Sequence, residues 1–325
     1  MSLPVLLPLL ADGEFRSGQQ LADALGVSRT AVWKQLNKFA EETGVEIESV
    51  RGRGYRITGG LDLLDSEAVT EALDSSAQTL LRELIIAPTI DSTNAELMRR
   101  AQAGASGGLV CVAEQQSAGR GRRGRTWVSP FAGNLYLSIL WDFDSGAAAL
   151  EGLSLAVGVA VARALGEACD VEPALKWPND IQHAGKKLGG ILLEMSGDAD
   201  GRCQVVVGIG LNVAMPQGAA REIDQAWTDL RTLVPDCPPR SALLAALLNE
   251  LLPLLEGFEA GGFAPWRDAW QSLDAYAGQR VVLDTGAAQM AGIARGVDDR
   301  GALQLETTTG VQSVYGGEIS LRGAA

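Results

Sequence analysis

Seven consecutive residues, Gly119-Arg120-Gly121-Arg122-Arg123-Gly124-Arg125, set four guanidinium groups among three glycines in a 325-residue chain of formal net charge −13. Arginine is a planar, permanently charged fork of donors that suits carboxylates and phosphates. Glycine lets the backbone come close to a ligand and is mobile without one. The run therefore predicts a loop that orders around an anion. Gly119, Gly121 and Gly124 also fit the dinucleotide fingerprint G-x-G-x-x-G, behind a strand predicted over 109–114. That fingerprint has to open a helix. Here Arg125-Thr126-Trp127-Val128-Ser129-Pro130 follows, which is β-prone and stopped by proline. On the run alone, the competing reading is a basic patch for nucleic acid.

Other chemistry-bearing residues flank the run. Asp91-Ser92-Thr93-Asn94 precedes a stretch of helical composition over 95–103, where hydroxyls and an amide either cap the helix or bind a neutral head group. Gln115 and Gln116 stand just before the glycines. Lys176-Trp177-Pro178-Asn179-Asp180 leads into a hairpin that turns at Ala184-Gly185 into Lys186 and Lys187. His183 is the single histidine, and Cys111, Cys169, Cys203 and Cys237 form no C-x-x-C pair. A zinc site or a Ser-His-Asp triad is therefore not expected, and the thiols read as reduced and mostly buried, as in a cytoplasmic protein. The chain contains no G-x-x-x-x-G-K-[ST] motif, so ATP use is not legible from a P-loop.

The elements that must position these groups fall into three parts. Residues 1–60 hold seven Lys/Arg and seven Asp/Glu, so the rest of the chain carries the whole net charge. Ser17 with Gln20 forms a capping-box pattern, Leu21, Ala24 and Leu25 follow at helical spacing, and Gly26 ends that helix. Ser28 caps a second helix with Val32, Leu36 and Phe39 on one face and Arg29, Thr30, Trp33, Lys34 and Asn37 on the other. Strand-like pieces over 45–50 and 55–58 surround Arg51-Gly52-Arg53-Gly54. The pattern predicts a winged helix-turn-helix, with Arg51, Arg53, Arg56 and Lys38 on phosphates and Arg29, Thr30, Trp33 and Asn37 toward base edges. A protein-interaction module is the alternative. Strands are predicted over 109–114, 134–141, 186–194 and 205–208, and helices over 149–169, 240–260 and 266–273. From Tyr276 onward, short strands with turns at Asp284-Thr285-Gly286, Asp298-Asp299-Arg300-Gly301 and Thr309-Gly310 predict a small β-barrel. The apolar segment 3–11 is too short to span a bilayer and reads as a first core helix; no other segment reads as transmembrane.

The Arg/Gly run, Lys176-Trp177-Pro178-Asn179-Asp180, Lys187-Leu188-Gly189-Gly190-Ile191-Leu192-Leu193-Glu194 and Gly208-Ile209-Gly210-Leu211-Asn212-Val213 occur in this order behind the winged helix. With Tyr315-Gly316-Gly317-Glu318-Ile319 near the end, the whole chain resembles the biotin protein ligases, more closely the bifunctional kind that also represses biotin synthesis genes. The resemblance implies an α+β protein in three parts: a winged helix-turn-helix over 1–62, a mixed α/β catalytic domain like that of class II synthetases over 63–273, and an SH3-like domain over 274–325. It implies that biotin and ATP form biotinyl-5′-AMP, and that biotin then passes to a lysine of a biotin carboxyl carrier protein. By the same resemblance, Ser92, Thr93, Asn94 and Gln116 hold biotin. Arg120, Gly121 and Arg122 wrap biotin and phosphate, and Lys187 bridges the biotin carboxyl and the α-phosphate. Asn212 holds the nucleotide and Trp227 covers the adenine. Counting back from Gly119 favours Gln116 over Gln115. Asp180 either orients Lys187 or helps deprotonate the acceptor lysine. Mg²⁺ is expected on the ATP phosphates rather than in a protein cage. The implied partners are the carrier, operator DNA and a second copy of the chain once biotinyl-AMP is bound, with no membrane. The alternatives are a biotin-sensing transcription factor without ligase activity and a ligase for lipoate or another acyl acid.

Overall fold

The computed structural model describes residues 3–197, 201–284, 289–315 and 320–323. Residues 285 and 286 of one expected turn, and 316–319 of the C-terminal motif, lie outside them.

The first part comprises α1 (Leu3–Leu10), α2 (Gly18–Leu25), α3 (Arg29–Thr43) and the hairpin β1 (Ile47–Val50) and β2 (Gly54–Ile57). The capping box at Ser17 is complete: Ser17 Oγ accepts from Gln20 N at 3.1 Å, and Gln20 Oε1 accepts from Ser17 N at 2.8 Å. Ser28 Oγ caps α3 by accepting from Ala31 N at 3.2 Å. Val32, Leu36 and Phe39 are buried with Leu6, Leu10 and Leu21. Arg29, Thr30, Trp33, Lys34 and Asn37 face solvent, Trp33 at 49% exposure. The sequence did not disclose that Arg16 pairs its main chain with Tyr55, both bonds 2.9 Å long, and so adds a third edge to the wing. Arg51 and Arg53 are exposed at the wing tip, the Arg53 guanidinium 4.0 Å from the Phe15 ring centre. Arg56 is tied across the hairpin to Glu48 at 2.6 Å and lies 4.7 Å from the Phe15 ring centre.

The second part holds α4 (Ser66–Glu71), α5 (Ser75–Leu80), β3 (Glu83–Ala87), α6 (Thr93–Gln102), β4 (Leu109–Ala113), β5 (Leu135–Phe143), α7 (Leu153–Cys169), β6 (Ala174–Lys176), β7 (Asp180–His183), β8 (Lys186–Gly197), β9 (Cys203–Leu211), α8 (Gln217–Ala220), α9 (Leu230–Leu233), α10 (Arg240–Gly261) and α11 (Arg267–Ser272). Its seven strands run β3-β4-β5-β9-β8-β7-β6, antiparallel except for β3 beside β4. Burial along β5 and β9 is nearly continuous because both faces are covered. α7 and α10 pack together over one face in the main core. α6 covers part of the other through Leu97 and Ala101 against Leu140 and Val206. The helix expected from 149 is interrupted: Ala147–Leu150 is a 3₁₀ turn, and α7 begins only after Gly152 in the left-handed region. The 22 residues of α10 are long and apolar enough to cross a membrane, but Leu244, Leu248, Leu251 and Leu255 are fully buried in this core.

The third part is a five-stranded antiparallel sheet: β10 (Arg280–Asp284), β11 (Gln289–Val297), β12 (Leu303–Thr307), β13 (Gly310–Val314) and β14 (Ser320–Gly323), in the order β13-β12-β11-β10-β14. This antiparallel sheet of short strands, with the last strand beside the first, agrees with the small β-domain expected at the C-terminal end. It is anchored on the site-bearing sheet. Trp177, 2% exposed, donates Nε1–H to Gly301 O at 3.0 Å, and β6 pairs with the approach to β10 through Leu175 N to Leu273 O (2.7 Å) and Ala275 N to Leu175 O (2.9 Å).

Candidate active site

The Arg/Gly run leaves β4 and returns as a tight hairpin. Gly121 N donates to Arg125 O at 2.7 Å, Trp127 N to Gly119 O at 2.9 Å, and Arg120 pairs with Thr126. Arg123 (φ 59°) and Gly124 (φ 70°) are consecutive left-handed residues at its tip. Two such residues are what a tight primed turn demands, and a non-glycine residue there is strained. No α-helix follows, which removes the dinucleotide reading.

The hairpin overhangs the face of the sheet that α6 covers only in part, and helps enclose a cleft of about 760 Å³. Glycines form part of its floor. A Cβ on Gly210 would come within 2.4 Å of the Trp127 ring, and one on Gly208 within 2.1 Å of Asn94 Oδ1. Trp127 and Asn94 therefore lie directly on β9. Across the sheet, Gly208 sits between Ser138 and Leu192, and Gly210 between Tyr136 and Gly190.

One end of the cleft is neutral and polar. Ser92 caps α6, accepting from Ala95 N at 3.4 Å. Thr93 donates its N–H (2.9 Å) and hydroxyl (3.2 Å) to Gln116 Oε1, whose Nε2 donates to Ser129 Oγ at 3.2 Å. Ser92, Thr93 and Asn94 are all buried. Gln116 lines the cleft and Gln115 does not. Asp91 points away: it accepts from Ser92 N at 2.7 Å and takes Arg99 in a two-pronged pair, and the Arg99 hydrogen bonds hold its carboxyl down at about 2.

The other end is charged. Lys187 Nζ lies 2.7 Å from Asp180 Oδ1 and 5.5 Å from the Trp127 ring centre. Lys176 Nζ approaches Asp180 Oδ2 at 3.8 Å, so one carboxylate serves two ammonium groups. Arg122 Nη1 donates to Asn179 Oδ1 at 3.1 Å, and Asn179 Nδ2 to Ile191 O at 2.7 Å. Arg120 Nη2 donates to Glu194 Oε2 at 3.2 Å. Lys186 is exposed one residue away. The main chain of Lys187 pairs with the loop before α9: its N–H reaches Ala226 O and its carbonyl accepts from Thr228 N, both at 2.9 Å, which sets Trp227 beside it. Asn212 is nearly buried, and its amide donates to Thr228 O (3.1 Å) and Lys187 O (3.4 Å), tying that loop to β8.

Ser92, Thr93, Asn94, Gln116, Arg120, Gly121, Arg122, Asp180, Lys187, Asn212 and Trp227 thus line one cleft. The exposed residues of α3 and the wing lie in the separate N-terminal part. Sequence reasoning missed Trp127, Ser138, Asn179 and Glu194 as part of this arrangement. Asn179 sat inside a quoted motif. Glu194 closed another quoted motif without a role of its own, and Ser138 carries no local signal, because only the strand order brings them to the face under the hairpin.

A cleft with a neutral polar end and a cluster of fixed cations, with no cysteine or histidine among its lining residues, suits an enzyme that activates a small carboxylic acid. The Biotin/lipoate A/B protein ligase family model matches residues 86–212, an HTH domain model matches 5–56, and a Biotin protein ligase C terminal domain model matches 276–322. The bifunctional ligase/repressor BirA of Salmonella typhimurium is 42% identical over 98% of this chain and 97% of its own, and that of Escherichia coli is 40% identical with the same coverage. The solved biotin protein ligase of Aquifex aeolicus, in complex with biotin and ATP, superposes with a TM-score of 0.65 at 32% identity, covering 75% of this chain and all of that one. The chain belongs to the family of bifunctional biotin protein ligases and repressors.

Proposed function

We propose that this chain joins biotin to ATP in its cleft as biotinyl-5′-AMP, passes biotin to a lysine of a biotin carboxyl carrier protein, and represses biotin synthesis genes when loaded. Residues 63–273 with 274–325 carry the ligase, and residues 1–62 bind operator DNA through Arg29, Thr30, Trp33, Lys34, Asn37, Arg51 and Arg53. The observation that carries the ligase reading is the convergence of Lys187, Arg120 and Arg122 on the cleft that also holds Ser92, Thr93, Asn94 and Gln116.

The chemistry suits that set. The biotin carboxylate attacks the α-phosphorus of ATP, and pyrophosphate leaves. Two anions must meet, so fixed cations aimed at the developing charge supply most of the stabilisation. Lys187 spans the carboxylate and the α-phosphate, Arg122 closes on the phosphate, and Trp227 covers the adenine beside Asn212. The ureido ring of biotin is a neutral donor and acceptor, and Ser92, Thr93, Asn94 and Gln116 offer complementary groups. In the second step the carrier amine attacks the acyl carbon and AMP leaves. Asp180, already shared by two ammonium groups, acts by orienting Lys187.

Mg²⁺ would enter with the ATP phosphates and spread their charge. Among the described residues no cluster of three or more acidic, histidine or cysteine side chains is placed to cage it; Glu222 and Asp224 at the cleft rim are the acids left to meet its waters.

Transfer of labelled biotin to a carrier domain, wild type against Lys187→Ala, tests the reading. Loss in the variant is expected, and undiminished transfer overturns it. Gel-shift titration of an operator fragment with and without biotin and ATP tests the repressor part; equal DNA affinity in the two conditions overturns the switch.

A further inference from the structure

A line of hydrogen bonds crosses the cleft floor under the Arg/Gly hairpin. It starts at Gln116, whose Oε1 accepts from Thr93. Ser138 Oγ, from β5, lies 2.7 Å from Thr93 Oγ1 and 2.5 Å from Asn94 Oδ1. Asn94 Nδ2 donates to Glu194 Oε2 at 2.8 Å, and Arg120 Nη2 donates to the same oxygen at 3.2 Å. The line leaves the loop at Gln116 and rejoins it at Arg120, four residues on. Glu194 is its only charged acceptor, and it is the residue that joins the neutral end of the cleft to the cationic one.

Two physical consequences follow from the carboxylate. The two ends of an asparagine amide are alike in shape, so its partners decide which way it faces. A carboxylate accepts only, so Glu194 fixes Nδ2 toward β8 and Oδ1 toward Ser138 and Gly208. The bond to Arg120 is charge-assisted and directional. It is also partly exposed, with the Arg120 side chain at 43% and that of Glu194 at 27%. Such pairs add little to stability, so what this one provides is the placement of the guanidinium.

We propose that Glu194 is a positioning residue for the ligase reaction: it orients Asn94 for the neutral head group of the acid and holds Arg120 for its anionic end. This rests on the reading of the cleft above. A ligand that fills the head-group end then meets an Arg120 already aligned along the floor.

The test uses the full chain and the variants Glu194→Gln, Glu194→Asp, Arg120→Ala and the Glu194→Gln/Arg120→Ala pair. Biotin binding is measured by calorimetry without ATP, and biotin-dependent ATP–pyrophosphate exchange gives KM and kcat. Losing one hydrogen-bonded charge should weaken biotin binding and raise its KM about tenfold in Glu194→Gln. The kcat should change less than threefold. Glu194→Asp should recover part of the loss, and the double variant should be weaker than Arg120→Ala by less than the full Glu194→Gln loss, because only the Asn94 arm is left to lose. Unchanged biotin affinity in Glu194→Gln, or losses that add in full in the double variant, overturn the role of Glu194. A wild-type chain that binds biotin but shows no exchange overturns the ligase reading and leaves the calorimetric comparison to decide the positioning role.

Discussion

Lys187 carries the heaviest assignment at the level of single residues. Its ammonium is held by Asp180 at 2.7 Å and is mostly shielded from solvent. Replacing one preorganised cation at developing negative charge costs about a thousandfold in rate. Lys187→Ala should therefore lower pyrophosphate exchange by about that factor, with its thermal midpoint close to wild type; a rate within tenfold of wild type rejects the assignment. The thiols make a second residue-scale prediction. All four are free, and burial pushes each thiol up, Cys111 to about 12 and Cys169 to about 11. Only the thiolate is nucleophilic, so the native chain at pH 8 should resist iodoacetamide while the denatured chain reacts at all four positions. Mass spectrometry reads the difference, and rapid native labelling of Cys111 or Cys169 contradicts the packing. Residues such as Lys187 and Arg122 were legible because their types and neighbours in sequence already suit an anion. Ser138 and Glu194 were not, because their role exists only across strand pairs.

Elements explain what the motifs do. Gly208 reads in the sequence as the end of a strand and Gly210 as part of the motif beyond it, yet both lie in β9 and leave room for Asn94 and Trp127 on the sheet. A valine at Gly210 would drive its Cβ into the indole. Gly210→Val should keep the sheet, whose ladder it does not break, and displace Trp127, weakening biotin by more than about tenfold through overpacking. Isothermal titration with circular dichroism as a fold check decides this, and unchanged affinity refutes the floor. α2 and α3 were readable to their caps, since Ser17, Gln20, Gly26 and Ser28 are local signals. α4, α5 and β3 were not read, because short elements with mixed composition gain their stability from their neighbours, α10 for α4 and α5 and β4 for β3. At the head of α10, Arg240 is 1% exposed and donates to Asp62 O, Asn134 O and the Glu114 carboxylate. Arg240→Ala strands a buried carboxylate, so it should cost about 3–5 kcal/mol. Chemical denaturation measures that cost, and a change below about 1 kcal/mol would mean the group is not confined as the hydrogen bonds indicate.

At the scale of the whole molecule, the N-terminal part meets the rest at the head of α10, where Arg240 holds Asp62, and on the segments that flank the Arg/Gly hairpin. Glu114, at the exit of β4 and two residues before Gln116, accepts from Leu64 N at 2.7 Å in the linker after the wing. Phe131, which follows the hairpin strand, packs edge-on against Phe39 of α3 with ring centres 5.0 Å apart. The Arg/Gly hairpin segment and α3, the proposed DNA-reading helix, therefore share one aromatic joint, four residues from Trp127 along the chain. The net charge raises the importance of that joint: an acidic body repels DNA, so the proposed DNA binding depends on how the exposed cations of α3 and the wing tip are presented. Phe131→Ala removes the edge contact without touching a residue that lines the cleft. Biotin transfer to a carrier domain should stay within about threefold of wild type, since the cleft groups keep their partners. The gap in operator affinity between the empty and the biotin- and ATP-loaded chain should shrink by about tenfold or more, because an ordered hairpin no longer bears on α3. Gel-shift titrations of both proteins, with and without biotin and ATP, measure that gap. If it persists in full in the variant, the signal to DNA does not run through Phe131, and the Glu114–Leu64 linker becomes the contact that has to carry it.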